Sequence, residues 1–338
     1  MLNLSKMKKV DASKMFETYD NWAELTRIAY DSDKISLDFK KFDHIVLAGM
    51  GGSGTICDVF SSILSKTNIH TSVIKGYNLP RTVNKNTLVI SVSVSGNTKE
   101  TLSILKKAHQ LKTSVISFSS GGKLQDFSIK NNLNHVKINM VHSPRASLPI
   151  YLYQMLKILE DFIPLEEKDI FKSINELKNT TKNINSSNLT KSNSSLNLAK
   201  WITKTPVIYY PLGLQSAAIR FKNNLQENCK MQAITEDVVE ACHNGIVGWE
   251  KQASCFKPIL IHGNNDFIKT KETQKIIKEF FFEKNIEFKE IYTNHSGILS
   301  KIINLIYILD YTTIFRAILS NTDPSPVKAI EYIKSKLK

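Results

Sequence analysis

From residue 43 to 162 the chain alternates short, continuous apolar runs with longer segments whose apolar residues recur at helical spacing. The runs HIVLA (44–48), TSVIKGY (71–77), TLVISVSVS (87–95), SVISFSS (114–120) and HVKINM (135–140) read as strands. GGSGTICDVFSSILSK, TKETLSILKKAHQ and SLPIYLYQMLKILEDF, which lie between or after them, read as helices. Strands that are apolar throughout, rather than at alternate positions, are buried on both faces. Joined by helices, they predict βαβ units and a parallel sheet. Residues 172–198 change character: sixteen of the 27 are Asn, Ser or Thr, yet Phe171, Ile174, Leu177, Thr181 and Ile184 keep a helical spacing, which predicts polar connecting helices. The pattern then restarts. PVIYYPLG, PILIHGNND and IEFKEIYTN read as strands, and SAAIRFKNNLQENCK and KETQKIIKEFFFEKN as helices. SGILSKIINLIYILDYTTIFRAIL and PSPVKAIEYIKSKLK close the chain as two more helices. The expected class is α/β with a duplicated architecture. The expected parts are a domain over 1–163 with an irregular or helical start, a helical polar connector over 164–204, and a second domain over 205–338.

Composition narrows the setting. At 338 residues, 42% hydrophobic and 22% charged, the chain can bury large cores without disulfides. The apolar stretch Ile302–Leu319 is interrupted by Asn304, Asp310 and Arg316, so no unbroken apolar span of membrane length is expected. MLNLSKMKKV has lysines with no apolar run behind them, unlike a secretory signal, and a cytoplasmic location is expected. Cysteines 57, 229, 242 and 255 form no C-x-x-C pair, which argues against zinc knuckles and thioredoxin chemistry and for reduced thiols. The net charge is +14, but five arginines stand against forty lysines, and the lysines are scattered. Nucleic-acid readers favour arginine forks, so a solvated lysine surface that attracts small anions is expected, with neither a nucleic-acid nor a membrane partner.

Two loops carry candidate chemistry. AGMGGSGT (48–55) ends a strand and opens a helix, and Gly49, Gly51 and Gly54 satisfy G-x-G-x-x-G. Glycines let backbone N–H groups approach an anion at a helix N-terminus. The dinucleotide reading also needs an acid after the next strand, and SVIKGYN has none. SVSVSGNTKET (91–101) again ends a strand and begins a helix, with Ser93, Ser95 and Thr98 around one turn. Asn97 and Glu100 have the spacing of a capping box. Two hydroxyl- and glycine-rich turns at strand ends point to one crevice suited to a phosphate. Neither is followed by the lysine of a nucleotide triphosphatase.

GMGGSG, SVSGNT and HSPRASL in this order, with RFKNNLQENCK, CHNGIVGW and DPSPVKAIEYIKSKL later, resemble the sugar isomerase (SIS) fold, and more narrowly the archaeal-type bifunctional phosphoglucose/phosphomannose isomerases. The resemblance implies two SIS domains, each a parallel sheet flanked by helices in a flavodoxin-like three-layer arrangement. It implies that Gly51, Gly52, Ser53, Ser93, Ser95 and Thr98 hold the phosphate of a sugar phosphate. Arg145 falls on the family's arginine near the reacting carbons. Glu227 falls on its catalytic glutamate, with Gln226 where the family has asparagine. His243 falls on a histidine that reaches the partner subunit's site, so a homodimer is implied. A lysine on the last helix enters the site; Lys334 is the better match, with Lys336 close by.

These residue types suit aldose–ketose isomerisation. The reaction needs an acid/base pair to open the ring (His243 with Lys334) and a base to carry a proton between C2 and C1 (Glu227). It also needs a positive group beside the enediolate (Arg145, which would also keep the glutamate ionised). No metal and no cofactor is called for, and no dense ligand cluster appears. The expected activity is interconversion of glucose 6-phosphate and fructose 6-phosphate, and of mannose 6-phosphate. The alternatives are another SIS-type phosphosugar isomerase or amino-sugar deaminase, a non-catalytic phosphosugar sensor and, more remotely, a dehydrogenase. Each of the four residues also has a plainer reading. Glu227 would be a solvated carboxylate, His243 a buried polar residue or half a metal site beside Cys242, Arg145 a surface ion-pair partner, and Lys334 one of several solvated lysines.

Overall fold

Buried β-branched and leucine-rich runs form the strands, and the computed structural model, which describes residues 2–39, 42–251 and 255–337, places them in two separate parallel sheets. In chain order the first elements are α1 (Leu4–Val10), α2 (Met15–Asp20), α3 (Trp22–Tyr30), β1 (His44–Ala48), α4 (Gly52–Leu64), β2 (His70–Ile74), β3 (Thr87–Ser93) and α5 (Lys99–Gln110). There follow β4 (Ser114–Ser119), α6 (Gly122–Lys130), β5 (Asn134–Lys137), α7 (Leu148–Ile158), α8 (Glu167–Ile184) and α9 (Ser194–Trp201). The remainder comprises β6 (Thr205–Tyr210), α10 (Gln215–Cys229), β7 (Ile234–Asp237), β8 (Phe256–Gly263), α11 (Ile268–Glu283), β9 (Lys289–Thr293), α12 (Ile298–Leu319) and α13 (Lys328–Lys336). Two short 3-10 helices, Glu240–His243 and Gly245–Trp249, lie between β7 and β8. Lys338, the last residue of the closing helix expected from sequence, lies outside the described residues.

The chain divides into two compact units, Asn21–Ile174 and Met1–Asp20 with Asn175–Lys338. This division differs from the one drawn at 163 and 204. α8 crosses the boundary, and α9 packs on α12 within the second unit instead of standing apart. The first twenty residues go with the second sheet because Met7, Met15, Phe16 and Tyr19 are buried and Tyr19 Oη donates to Asp310 Oδ2 on α12 at 3.2 Å.

In the unit Asn21–Ile174 the strand order is β2-β1-β3-β4-β5, with every pairing parallel. Val46, Ala48, Val89 and Val115 pack against Ile104, Leu105, Ala108 and Leu124 of α5 and α6, while the alternate residues Ile45, Leu47, Leu88 and Ile90 are buried too. Burial of both faces is why these strands read as continuous apolar runs. The second sheet has the order β7-β6-β8-β9, also parallel throughout. Val207, Tyr209, Leu260, Trp249, Ile277 and Phe281 form one of its cores. β7 was not expected from sequence: Ile-Thr-Glu-Asp has no apolar run, and it is a strand because it pairs with Val207–Tyr210 at the sheet edge.

α12 is the one helix among the described residues that is long and apolar enough to cross a membrane, and it is a core helix, buried along most of its length. Its polar interruptions are partnered. Asn304 Oδ1 accepts from Thr180 Oγ1 at 2.5 Å, and Asp310 forms a buried ion pair with Arg220 of α10, Oδ2 to Nη2 2.7 Å. A buried charge pair is tolerated only when its hydrogen-bonding capacity is filled. Here Asn224 Nδ2 adds a third donor to Asp310 at 2.7 Å.

Candidate active site

In the unit Asn21–Ile174 the strand order reverses between β1 and β3, the position where open α/β sheets take ligands at their carboxyl ends. Both loops are there. Gly51, at φ +55°, turns the chain from β1 into α4, a conformation that favours glycine. Gly52 allows a close approach: a Cβ on it would lie 3.2 Å from Pro144 O and 3.4 Å from Arg145 Cα. The Pro-Arg segment therefore lies against the start of α4, and buried Arg145 comes to the same end of the unit as the glycine loop.

Ser53 joins the two loops. It is buried, and its Oγ accepts the Val94 N–H at 3.1 Å. Ser93 Oγ donates to Thr98 Oγ1 at 3.0 Å, and Ser95, exposed, accepts the Asn97 N–H at 3.3 Å. α4 and α5 both begin at these loops, with Gly51 and Thr98 as N-cap residues and no side-chain cap bond at either. Two helix starts without side-chain caps, set among hydroxyls, provide N–H donors and partial positive charge for an anion.

The capping box expected of Asn97 and Glu100 does not form. Thr98 holds the N-cap position, and Asn97 faces the other way. Its Nδ2 donates to Ser95 O at 3.0 Å and its Oδ1 accepts Lys123 N–H at 3.2 Å. Asn97 thus braces the loop after β3 against the start of α6. Ser120 Oγ donates to Val94 O at 2.7 Å, and Leu124 N–H to Gly96 O at 2.9 Å. Gly96, at φ +67°, is pressed so closely on the turn between β4 and α6 that an added Cβ would overlap the Gly121 carbonyl. These supports went unread in the sequence; the run Ser119-Ser120-Gly121-Gly122 was the available signal.

No acid stands after β2 to hold a nucleotide ribose. Lys75 is there instead, paired with Asp58 of α4 at 2.6 Å. Burial raises the Asp58 carboxyl, and the lysine draws it back.

Glu227, His243 and Lys334 belong to the other unit. Glu227, half-buried, lies in the last turn of α10, whose inner face is sewn to α12 by Arg220, Asn224 and Asn228. Asn228 Nδ2 donates to Thr313 Oγ1 at 2.8 Å. His243 is exposed at the end of a 3-10 helix, and the same stretch is anchored by Trp249, whose Nε1 donates to the buried Tyr209 hydroxyl at 2.7 Å. Among the described residues no three His, Cys, Asp or Glu side chains cluster as metal ligands, and Cys242 directs its Sγ to Val238 O. Lys334 is exposed on α13, which buries no side chain; Lys336 lies over the Tyr332 ring, 5.8 Å from its centre.

The chain is similar to known proteins. Residues 38–145 match the SIS domain model, and residues 191–337 match the bacterial phospho-glucose isomerase C-terminal SIS domain. The bifunctional phosphoglucose/phosphomannose isomerase of Caldicellulosiruptor bescii is 32% identical over 96% of this chain and 98% of its own. The protein of the same name from Thermoplasma acidophilum is 30% identical over 88% of this chain and 90% of its own. Among solved structures, hypothetical protein TT0462 from Thermus thermophilus superposes with a TM-score of 0.72 at 14% identity, covering 99% of this chain and 89% of that one.

Proposed function

The chain belongs to the SIS-domain phosphosugar isomerase family, and from that premise we propose that it interconverts glucose 6-phosphate and fructose 6-phosphate and also accepts mannose 6-phosphate. The observation that carries this reading is the pair of helix starts without side-chain caps, lined by the hydroxyls of Ser53, Ser93 and Thr98. This is a cradle for a dianionic phosphate that uses neither a lysine nor a metal. The relatives named above act on hexose phosphates by their names, and a hexose 6-phosphate carries its phosphate at the far end from C1 and C2.

Each side chain then has a role in its own chemistry. Ser53, Ser93, Ser95, Thr98 and the backbone at Gly51 and Gly52 grip the phosphate. His243 and Lys334 move the protons of ring opening. Glu227 takes the proton from C2 and returns it at C1, and Arg145 supplies positive charge beside the enediolate. General acid–base transfer supplies about 10²–10⁴-fold, so holding the sugar by its phosphate must contribute much of the remaining acceleration. A homodimer in the cytoplasm, with His243 serving the partner's site, completes the reading.

The test is a coupled assay with glucose 6-phosphate and with mannose 6-phosphate in the presence of a chelator. Fructose 6-phosphate is the expected product of both. Binding of the sugar phosphates without turnover would replace this reading with that of a sensor. Glu227→Gln is expected to lower kcat by about 10²-fold or more with sugar phosphate binding retained. Normal turnover by that variant would remove the glutamate from the mechanism.

A further inference from the structure

We propose that Lys230 is a positioning residue that ties the end of α10, where Glu227 sits, to the segment leading into α13, where Lys334 sits. Its catalytic consequence rests on the functional reading above; the tie itself rests on geometry alone.

Lys230 is the residue at which α10 stops. Its backbone is left-handed, φ +55° and ψ 34°, and its N–H closes the helix on Leu225 O. This turn folds the side chain back over the helix end. The ammonium donates to Glu227 O at 2.6 Å, to Pro326 O at 2.8 Å and to Asp323 O at 3.3 Å. An ammonium has three donors, and three main-chain carbonyls lie within reach of this one. The Glu227 carbonyl is among the last four of the helix, which have no partner along the helix itself. A cation there also complements the negative end of the helix dipole.

The other two carbonyls belong to the turn that precedes α13. This turn contains Pro324 and Pro326 and is shaped by Asp323, whose Oδ1 accepts the Ser325 N–H at 2.9 Å. α13 itself buries no side chain, so apolar packing contributes little to holding it in place. Hydrogen bonds at its root therefore matter more than they would for a core helix. The end of α10 is differently placed. Asn228 bonds Thr313 Oγ1, and Cys229 Sγ lies 3.1 Å from Thr313 O, so this end stays on α12 without Lys230. Removing the ammonium should release the root of α13 and leave the body of the unit folded.

The experiment compares wild type, Lys230→Met and Lys230→Arg by hydrogen–deuterium exchange. Met keeps the aliphatic stem and removes all three donors; Arg restores donors. In Lys230→Met, amides of 322–337 are expected to exchange about tenfold faster, with α12 and β6 unchanged, and Lys230→Arg should stay near wild type. Equal exchange of 322–337 in wild type and Lys230→Met would overturn the tie, whatever the enzyme does. Kinetics with glucose 6-phosphate supply the second arm. kcat should fall about tenfold in Lys230→Met with KM within about twofold, and recover in Lys230→Arg. Faster exchange with unchanged kcat would overturn the catalytic consequence alone. A wild-type chain without isomerase activity would sink the functional reading while the exchange result still decides the tie.

Discussion

The two sheets follow one plan and differ in what their loops leave open. In both, the strand order reverses between the first and third strands of the unit, β1 and β3 in one, β6 and β8 in the other. After β3 the chain reads Ser95-Gly96-Asn97, and across the end of β8 it reads His262-Gly263-Asn264. Neither α5 nor α11 has a side-chain cap bond at its start, but in the first loop the hydroxyls of Ser93 and Thr98 bond each other. In the second, the Asp266 carboxylate accepts the Gly263 N–H at 2.7 Å. Burial raises this carboxyl, and the Gly263 bond opposes the shift. A carboxylate held against this loop would repel a bound anion. The loop after β6, Pro211-Leu212-Gly213-Leu214, brings no hydroxyl. A cavity of about 280 Å³ at the carboxyl ends of β8 and β9, lined by residues such as His262, Lys271, Lys278 and Tyr292, includes none of the candidate residues. Duplicating a fold does not duplicate a site: both loops spend this backbone donor within the protein, Gly96 N–H on Ser93 O at 2.9 Å and Gly263 N–H on Asp266, and what differs is that the first loop carries the hydroxyls of Ser93, Ser95 and Thr98 where the second has a carboxylate.

The sharpest way to break this comparison is a pair of glycine substitutions. Gly96→Ala places a methyl on the Gly121 backbone at a left-handed φ, and the backbone cost alone is about 1–2 kcal/mol. We expect the phosphate loop to be displaced and KM for glucose 6-phosphate to rise on the order of 100-fold, with a lower Tm. The corresponding Gly263→Ala meets only the Asp266 side chain, which can turn away. Its KM should stay within about twofold of wild type. Equal damage in both would mean that the two loops are not functionally different.

Smaller effects sharpen the same point. Ser53→Ala removes the acceptor for Val94 N–H and one hydroxyl of the cradle. Hydrogen bonds to charged groups are worth about 1.5–3 kcal/mol, so KM should rise about ten- to a hundredfold. Asp266→Asn in the other loop should leave KM unchanged and cost only stability, measured by denaturant midpoint. A KM shift in Asp266→Asn would show that the second loop takes part in substrate binding after all.

The smallest expected effect is acid sensitivity. Burial lowers the pKa of His44 and of His135, both in the unit Asn21–Ile174. A histidine whose folded pKa lies below its unfolded value, about 6.5, takes up its proton at lower pH when folded than when unfolded. The unfolded chain then binds more protons, so stability rises with pH across that window. No penalty exists above about pH 6.5, and it grows as pH falls toward the folded values. His262 of the other unit is lowered by burial too, but Gln274 and Glu290 pull it back. Hydrogen exchange at pH 7 and 5 should show the unit Asn21–Ile174 loosening first, and His44→Gln with His135→Gln should reduce the difference. Earlier loosening of the other unit would contradict this.

Much of the fold was legible because fully buried strands leave continuous apolar runs, as in Ile45–Leu47 and Leu88–Ile90. The two glycine-rich loops were legible because left-handed turns and close approaches demand glycine, at Gly51 and Gly52 above all. β7 was hidden because its strand character comes from its neighbour. Asn97 was misread because a capping box is a local pattern, while its side-chain oxygen accepts from Lys123 N–H at the start of α6, 26 residues away in sequence. The placement of α1 and α2 with the second sheet was invisible for the same reason: Tyr19 and Asp310 are 291 residues apart.

By itself the sequence determined the alternation of strands and helices, the two glycine-hydroxyl turns and the family resemblance, because these depend on periodicity and on backbone conformations that few residues adopt. Tertiary structure alone decided which partners the loops' polar groups take. Asp266 lies against one loop, Asn97 and Gly96 brace the other, and Lys230 reaches across nearly a hundred residues to the root of α13. Hydrogen-bond satisfaction is a property of neighbours in space, and no spacing along the chain records it.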